Sequence, residues 1–596
     1  MNRSGQGQDA REPRVLIVTG GFVAMRDRSL VRALQRQVAS HRASRGGWLD
    51  LQMKLRIGEE LVAQQAFLRS RAFRRRPYRD AVLGYFGSDL MFDTPELTEV
   101  VLMTLLAAEG IGYEAATYAE LHADAGRRER LLEACEVVFA STTLLRDLSE
   151  LAPLVAMLRR PGNKPRNRIV CGGALASLIH GDLDAVSGIG GIDGIDVLAV
   201  GHGELLVPAL AAWMRGGCRE LAPPPGGRVA QRGGITVMWS GQPHGHDLDA
   251  LPRPDWSLAE RYHGRRMPMV FYESVRGCPY RCSFCNYPYL FDDTRFRYKS
   301  ADRIAADWAC YAAGGAEYVT CLDSLFTMPR QRLVALCEQL VARDIRLRWV
   351  CYARADDLSD IEVCRLMRRA GCIQVQIGIE SGNQAQLDRM NKRATVAQGM
   401  RALANCHETG ITTFISLILG YPGETEATLR DSLDFVREAR PDFAYLSPFM
   451  TRIESVPVLS EASRQRFGLV TAGGLGSSAP YWRHDTMCSS ELAERWSRFM
   501  RAVMRERCAL DGGLFYQGTL GYRRGRDRDP LLAFQRDCLD ALSGMRRLLA
   551  PVHEYVQRRV GADVLAQLGQ RPARPSHGAT AAAAGGSATT PGQPPG

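Results

Sequence analysis

Three cysteines within eight residues place the strongest constraint on this chain. Cys278, Cys282 and Cys285 stand in a C-x3-C-x2-C spacing inside FYESVRGCPYRCSFC, straight after the apolar run MPMVFYESV, which reads as a strand. Thiolates this close on one tight loop suit a [4Fe–4S] cube with one iron left without a protein ligand, because such clusters are held by cysteine sulfur. Zinc is the alternative, but structural zinc takes four ligands from paired Cys or Cys/His knuckles. No second pair lies nearby.

The 596 residues exceed one ordinary core, and about 150 residues per domain predicts three or four domains. Hydrophobic content of 45% and charged content of 24% are those of a globular protein. No apolar run is long enough to span a bilayer, and MNRSGQGQDAREPR lacks a signal-peptide core, so a cytoplasmic location is expected, with no membrane partner. Most of the 16 cysteines stand singly in apolar runs (Cys171, Cys321, Cys351), where a free thiol packs as a small hydrophobe. The net charge of +11 peaks in RSRAFRRRPYR, which carries Arg69, Arg71, Arg74, Arg75, Arg76 and Arg79. No nucleic-acid module accompanies it and stacking aromatics are sparse, so a solvated helical face is expected and nucleic acid is not.

Residues 1–13 read as a disordered lead-in, and residues 14–215 as an α/β domain with a basic helical insertion over 24–93. The strands are PRVLIVTGG, ACEVVFAST, NRIVCGG and IDVLAVG, separated by helical stretches. One of these helices is TPELTEVVLMTLLAAEG, with Thr94 as N-cap, Pro95 at N1 and Gly110 closing it. Alternating strands and helices predict a doubly wound, Rossmann-like parallel sheet that binds its ligand at the carboxyl ends of the strands. Those ends hold Ser141 and Thr142, Gly172 and Gly173, and VGHGE with Gly201, Gly203 and Glu204. Glycine there admits a close approach of ligand to backbone. No G-x-G-x-x-G with a following acid appears, which argues against a dinucleotide.

Residues 216–265 read as a linker, rich in Gly, Pro and Arg over 218–246 and ending in DLDALPRPDWSL. From 266 to 460, strands and helices alternate six times, which predicts a partial (β/α)6 TIM-like barrel with its working groups at the strand ends. Those ends hold Glu273, DSLF with Asp323, Arg354, GIES with Glu380 and Ser381, and GYPGET with Gly420. Residues 461–570 read as a mainly helical C-terminal domain, in which Arg483 and His484 are taken as core or surface residues. The low-complexity tail 571–596 is expected to be disordered.

Together, the cysteine loop after a strand, the four barrel strand ends, and the strand-GG and strand-VGxGE pair resemble cobalamin-dependent radical S-adenosylmethionine (SAM) methyltransferases over roughly residues 14–460. The resemblance implies a cobalamin domain ahead of the barrel, with Ser141, Thr142, Gly172, Gly173, Gly201, Gly203 and Glu204 at cobalamin, carried as methylcobalamin in turnover. It also implies SAM against Asp323, Arg354, Glu380, Ser381 and Gly420, and a reductase or flavodoxin-type electron donor. The usual D-x-H-x-x-G cobalamin motif is missing, and ELHADAG around His122 lacks its aspartate and spacing. Cobalamin is therefore expected without a lower histidine ligand.

Within the family the chain most resembles the tryptophan 2-C-methyltransferases of thiostrepton-type thiopeptide antibiotic biosynthesis, which implies tryptophan as the small-molecule substrate. Arg69 is the residue picked for the lower face of cobalamin. Glu273, five residues before Cys278, has two readings. As a ligand to the open iron it would block reductive cleavage of SAM and give methyl transfer without a 5′-deoxyadenosyl radical. As a structural residue it would pair with Arg276, since buried charges must be paired. The rival functions are radical methylation of an unactivated carbon or phosphinate, a cobalamin-using radical isomerase or cyclase, and a cobalamin sensor, which would need an output module.

Overall fold

The computed structural model describes residues 14–20, 48–87, 94–145, 148–159, 167–181, 183, 192, 194–241, 247–290, 295–450, 453, 455–472 and 481–568. The lead-in, the tail and part of the insertion lie outside the described residues.

Two sheets of seven strands each organise the molecule, the second wholly parallel and the first parallel except for one antiparallel edge strand. The first has the order β2-β1-β3-β4-β5-β7-β6, with β1 Arg14–Thr19, β2 Gly112–Thr117, β3 Val137–Ser141, β4 Arg168–Gly172 and β5 Val197–Val200. Its inner strands are near-continuous apolar runs because helices cover both faces, and Val137 to Ala140 are each at most 4% exposed. The remaining two strands depart from expectation. The stretch taken as a linker folds into the hairpin β6 Arg228–Arg232 and β7 Ile235–Trp239, and β7 pairs in parallel with β5. Gly233 and Gly234, both at positive φ, form the two-residue turn such hairpins require. The sheet domain therefore extends past residue 215 to about 241. The helix expected from Thr94 starts at Leu97 with Glu96 as N-cap, and Gly110 closes it at φ 68°.

The second sheet has the order β19-β15-β14-β13-β12-β11-β8. β8 Met269–Tyr272 leads to the small ribbon of β9 Val275–Arg276 and β10 Arg297–Tyr298. The barrel continues through β11 Tyr318–Cys321, β12 Arg348–Ala353, β13 Cys372–Glu380, β14 Thr412–Leu419 and β15 Phe443–Pro448. These are the six expected strands. The C-terminal region adds β16 Val470–Ala472, β17 Tyr481–His484 and β18 Met487–Cys488 as an antiparallel sheet. It also supplies β19 Leu510–Asp511, a short seventh strand parallel to β15.

The insertion helix Trp48–Arg69 packs on the C-terminal helices Arg524–Leu548 and Ala550–Leu568. Phe67, Phe73, Val82 and Tyr85 share one apolar cluster with Phe515 and Phe534. Arg546, 9% exposed, bonds Glu59 at 3.3 Å and Glu60 at 3.4 Å across the same boundary.

Candidate cofactor and active site

A cavity of about 350 Å³ joins the carboxyl edge of the first sheet to the cysteine end of the barrel. Its sheet side is lined by Ser141, Thr143, Gly172, Gly173, Gly201, Gly203 and Glu204, and its barrel side by Glu273, Arg276, Gly277, Tyr287 and Leu322. An apolar slot continues between Phe139, Val170 and Ala199 of the sheet and Val101, Leu102, Leu206 and Leu210 of the covering helices.

The glycines are there for want of space. A Cβ on Gly201, at φ 112°, would lie 2.1 Å from Ser240 Oγ, and one on Gly173, at φ 107°, 2.5 Å from Thr143 Oγ1. L-residues avoid this region of φ. Thr142 lies behind the cavity wall and knits it together. Its amide donates to the Gly172 carbonyl at 2.7 Å, and its hydroxyl accepts from the Ala176 amide at 3.0 Å. This cradle fits a bulky cofactor with a polar rim and a flat apolar appendage, as base-off cobalamin has. No histidine is needed beneath it: His122 is exposed at the end of the helix Tyr118–Ala123, and His202 is bound to Arg276.

Arg276 is the joint between the domains. Its guanidinium donates to Glu204 at 2.6 Å, to Glu273 at 2.9 and 3.1 Å, and meets His202 Nδ1 at 2.9 Å. Burial alone would raise the Glu204 carboxyl, but the charge and hydrogen bond of Arg276 outweigh it and hold the carboxylate below its ordinary range. Glu273 thus has the paired arrangement of its two readings. One oxygen of its carboxylate, Oε2, is engaged by Arg276, the contact that the structural reading expects.

The cysteine loop is pinned from several sides. Ser283 bonds the Met390 carbonyl at 2.9 Å and the Tyr421 hydroxyl at 2.7 Å, and Asn391 bonds the Arg281 carbonyl at 2.8 Å. All three thiols are free. Burial and the neighbouring sulfurs raise Cys278, and Cys285 to about 12, so a strong local cation is needed to hold them as thiolates. Among the described residues, no three Cys, His, Asp or Glu side chains converge on a point that one ion would fill.

The other barrel residues are buried scaffolding in this structure and do not line the cavity. Asp323 accepts from the Ser274 and Val275 amides at 2.6 and 2.7 Å and from the Ser274 hydroxyl at 2.7 Å. Burial moves its carboxyl up to about 6 in spite of those donors. It pins the turn that carries Glu273 and Arg276. Arg354 bonds the Lys392 carbonyl at 2.7 Å and lies 3.7 Å over the Tyr280 ring, between two of the cysteines. Glu380, at φ 66°, accepts from Lys392 at 2.9 Å, and Ser381 meets Ser432 at 3.2 Å. Gly420 lies under Trp482, whose ring would be 2.7 Å from a Cβ there, and its carbonyl meets His484 at 3.2 Å. Arg69 ends the insertion helix, exposed, on the C-terminal layer and off the cavity wall, because its helix packs on those helices.

Among the residues at or behind the cavity wall that the sequence reading did not assign to a cofactor, Arg276, His202, Ser240 and Leu322 matter most. Arg276 and His202 stand beside assigned positions. Ser240, which bonds the His202 amide at 3.2 Å, follows the unexpected hairpin, and its signal was the Gly-Gly between two alternating runs. Leu322 stands one residue before the assigned Asp323.

Residues 272–436 match the radical SAM superfamily. The chain is 31% identical over 287 residues, 46% of its length and 50% of the other's, to an anaerobic magnesium-protoporphyrin IX monomethyl ester cyclase of Rubrivivax gelatinosus. It is 27% identical to a tryptophan 2-C-methyltransferase of Streptomyces laurentii, over 34% of this chain and 36% of that one. The chain thus spans about half the length, or less, of these curated relatives. Its fold is shared with the radical SAM methyltransferase TsrM of Kitasatospora setae, solved with cobalamin and a [4Fe–4S] cluster, at TM-score 0.56 and 19% identity over 74% of this chain and 96% of that one. A second structure of that protein holds tryptophan and a SAM analogue. No helix among the described residues is long and apolar enough to cross a membrane.

Proposed function

From the premise that residues 272–436 form a radical SAM domain, we propose that the chain is a cobalamin-dependent C-methyltransferase acting on a ring carbon, with C2 of tryptophan as acceptor. The observation that carries this is the single cavity shared by the glycine-lined sheet edge and the barrel beside the cysteine loop. Cobalamin held at the sheet wall would share this cavity with Glu273, Arg276 and Gly277, the residues that lead into the cysteine loop.

Cys278, Cys282 and Cys285 hold the cluster, and Ser141, Gly172, Gly173, Gly201, Gly203 and Glu204 hold cobalamin. Bound cobalamin supplies a nucleophilic cobalt that accepts a methyl group and passes it on. The protein's work is placement and exclusion of water. Arg276 fixes the Gly203–Glu204 turn against the strand end that leads into the cysteine loop. Asp323 holds that strand end from behind, and Arg354 holds the loop through Tyr280. SAM is assigned to the barrel strand ends near Arg354, Glu380, Ser381 and Gly420, and reducing equivalents to a flavodoxin-type donor. Tryptophan is supported by the name of the Streptomyces laurentii relative and by the ligand of the Kitasatospora setae structure. An electron-rich indole carbon accepts a methyl cation without first becoming a radical.

The test is anaerobic reconstitution with cobalamin, SAM and tryptophan, read by mass spectrometry. The expected product carries one added methyl group with S-adenosylhomocysteine in step, and one 5′-deoxyadenosine per product would replace the polar reading with a radical one. A second reading, ring closure without methyl gain, is favoured by the 31% identity to a cyclase. A product that loses hydrogen and gains no methyl would establish it.

A further inference from the structure

The cysteine loop has an inner and an outer side. Glu273, Arg276, Gly277 and Tyr287 line the cavity. Between Cys278 and Cys282 the chain reaches the outside instead: Pro279 and Arg281 are exposed, and neither lines the cavity. A cluster held by this loop therefore lies close to the outer surface as well as to the cavity.

Arginines flank that outer surface on both sides. Arg281 folds back on its own turn and donates to the Cys278 carbonyl at 2.7 Å. Asn391 bonds the Arg281 carbonyl at 2.8 Å, and two residues on stands the exposed Arg393, at φ 51°, its carbonyl accepting from Arg354 at 2.9 Å. On the other flank the Val458 amide donates to the Ser283 carbonyl at 2.9 Å. The helix Glu461–Phe467 follows, with Arg466 exposed and 5.0 Å over the Phe467 ring. Phe467 shares one apolar cluster with Phe284 and Tyr289 of the cysteine loop. Among the described residues neither Arg393 nor Arg466 has an ion-pair partner. The acids of the same segments are bonded elsewhere: Asp356 to Arg354, Asp388 to Gln384 and Glu461 to Gln465. The denser basic run from Arg69 to Arg79 lies at the other end of the barrel, where Phe67 and Phe73 pack with Phe414 and Phe443 near the starts of β14 and β15.

We infer that the rim formed by Arg281, Arg393 and Arg466 is the docking surface of an acidic, flavin-carrying electron carrier. Charges that no neighbouring acid neutralises steer a partner of opposite sign and set its orientation, and arginine is favoured at such interfaces. Docking here brings the carrier against the outer side of the loop that holds Cys278 and Cys282. The anionic reduced flavin gives up one electron and the cluster takes it, so no bond is made or broken and no proton moves. The inference rests on the proposed function in taking the loop as the seat of a cluster that a protein reduces; docking itself does not depend on turnover.

The test titrates the anaerobic holoprotein with a flavodoxin of acidic surface. Binding to the unaltered protein should weaken about tenfold between about 50 and about 300 mM sodium chloride, as screening removes the steering. Arg393→Glu combined with Arg466→Glu should weaken it a further tenfold or so, because two contacts turn repulsive. In stopped flow the same variant should slow reduction of the cluster by reduced flavodoxin to a similar degree. Its iron content and its reduction by dithionite, a small reductant that needs no docking, should stay unchanged. Arg74→Glu combined with Arg75→Glu, at the far basic run, should change none of these. Binding that ignores salt, an equal loss in the Arg74 and Arg75 variant, or a DNA duplex that binds the rim more tightly than flavodoxin does would overturn the inference. The salt dependence is read on the unaltered protein and needs no variant to fold. Docking and reduction as expected without methyl transfer would count against the proposed function alone. Methyl transfer driven by flavodoxin yet indifferent to the rim would count against the rim alone.

Discussion

The two seven-stranded sheets end in opposite ways. At the carboxyl edge of the first, Gly172, Gly173, Gly201 and Gly203 leave room, and the polar groups that border it act on each other from behind. At the carboxyl edge of the second, Asp323, Arg354, Glu380 and Ser381 are already bonded to protein partners and brace the loops that carry the cysteines. The first edge offers vacated volume, the second a supported loop. One domain is therefore sensitive to added atoms and the other to removed ones.

The sharpest break in this contrast is loss of the supported loop's ligands. Alanine at Cys278, Cys282 or Cys285 should bring bound iron and turnover to background, whereas alanine at Cys321 or Cys372, both buried in strands, should leave iron unchanged. Iron and sulfide assays check this, and loss of iron in a Cys372→Ala protein would reassign the cluster.

Adding atoms to the first edge comes next. Gly201→Ala puts a Cβ against Ser240 at positive φ, a strain of about 1 to 3 kcal/mol. Optical titration should show cobalamin affinity reduced tenfold or more with iron content intact. If cobalamin bound normally, the glycine edge would not be its seat.

Arg276 joins the two edges, so Arg276→Ala should injure both. It strips the main cation from Glu204, whose side chain is 11% exposed, and from Glu273, at 37%. Discounting the more exposed partner, the loss is about 2 to 3 kcal/mol by denaturant unfolding. The pH dependence has a definite sign. Glu204 is held below its ordinary pKa, so it adds stability above the unfolded carboxylate pKa that is lost as pH falls through the lowered folded value. In Arg276→Ala that acid-side loss should shrink, and an unchanged pH profile would show that the bridge is not what holds Glu204 ionised.

The smallest effect is expected at Arg69. Arg69→Ala removes an exposed side chain off the cavity wall and should change stability by less than about 0.5 kcal/mol, with cobalamin affinity unchanged. Weaker cobalamin binding in that variant would bring the insertion into the site.

Much of this was legible residue by residue. β1, β3, β4 and β5 are buried apolar runs closed by glycine or small polar residues, and the cysteine loop needs no partner to be recognised. β2 was missed because an edge strand such as GYEAAT is half exposed and lacks such a run. The β6–β7 hairpin was hidden by arginines on its exposed outer strand. β19 is two residues long and exists only because β15 offers an edge. The Arg276 joint was half legible: Glu273 is three residues away, but Glu204 is 72 residues distant and belongs to another domain. Nothing local announces such a contact.

The packing of the insertion on the C-terminal helices bears on how the chain is made. Arg546 meets Glu59 across 487 residues, so the apolar face of the helix Trp48–Arg69 has no cover until nearly the whole chain has been synthesised. At about 5 to 20 residues per second the ribosome leaves that face waiting for tens of seconds. Contacts so far apart in sequence also make folding slow. The N-terminal third should thus depend on chaperones while it is nascent, and truncation of the last helices should send the insertion, rather than the two sheets, into aggregates.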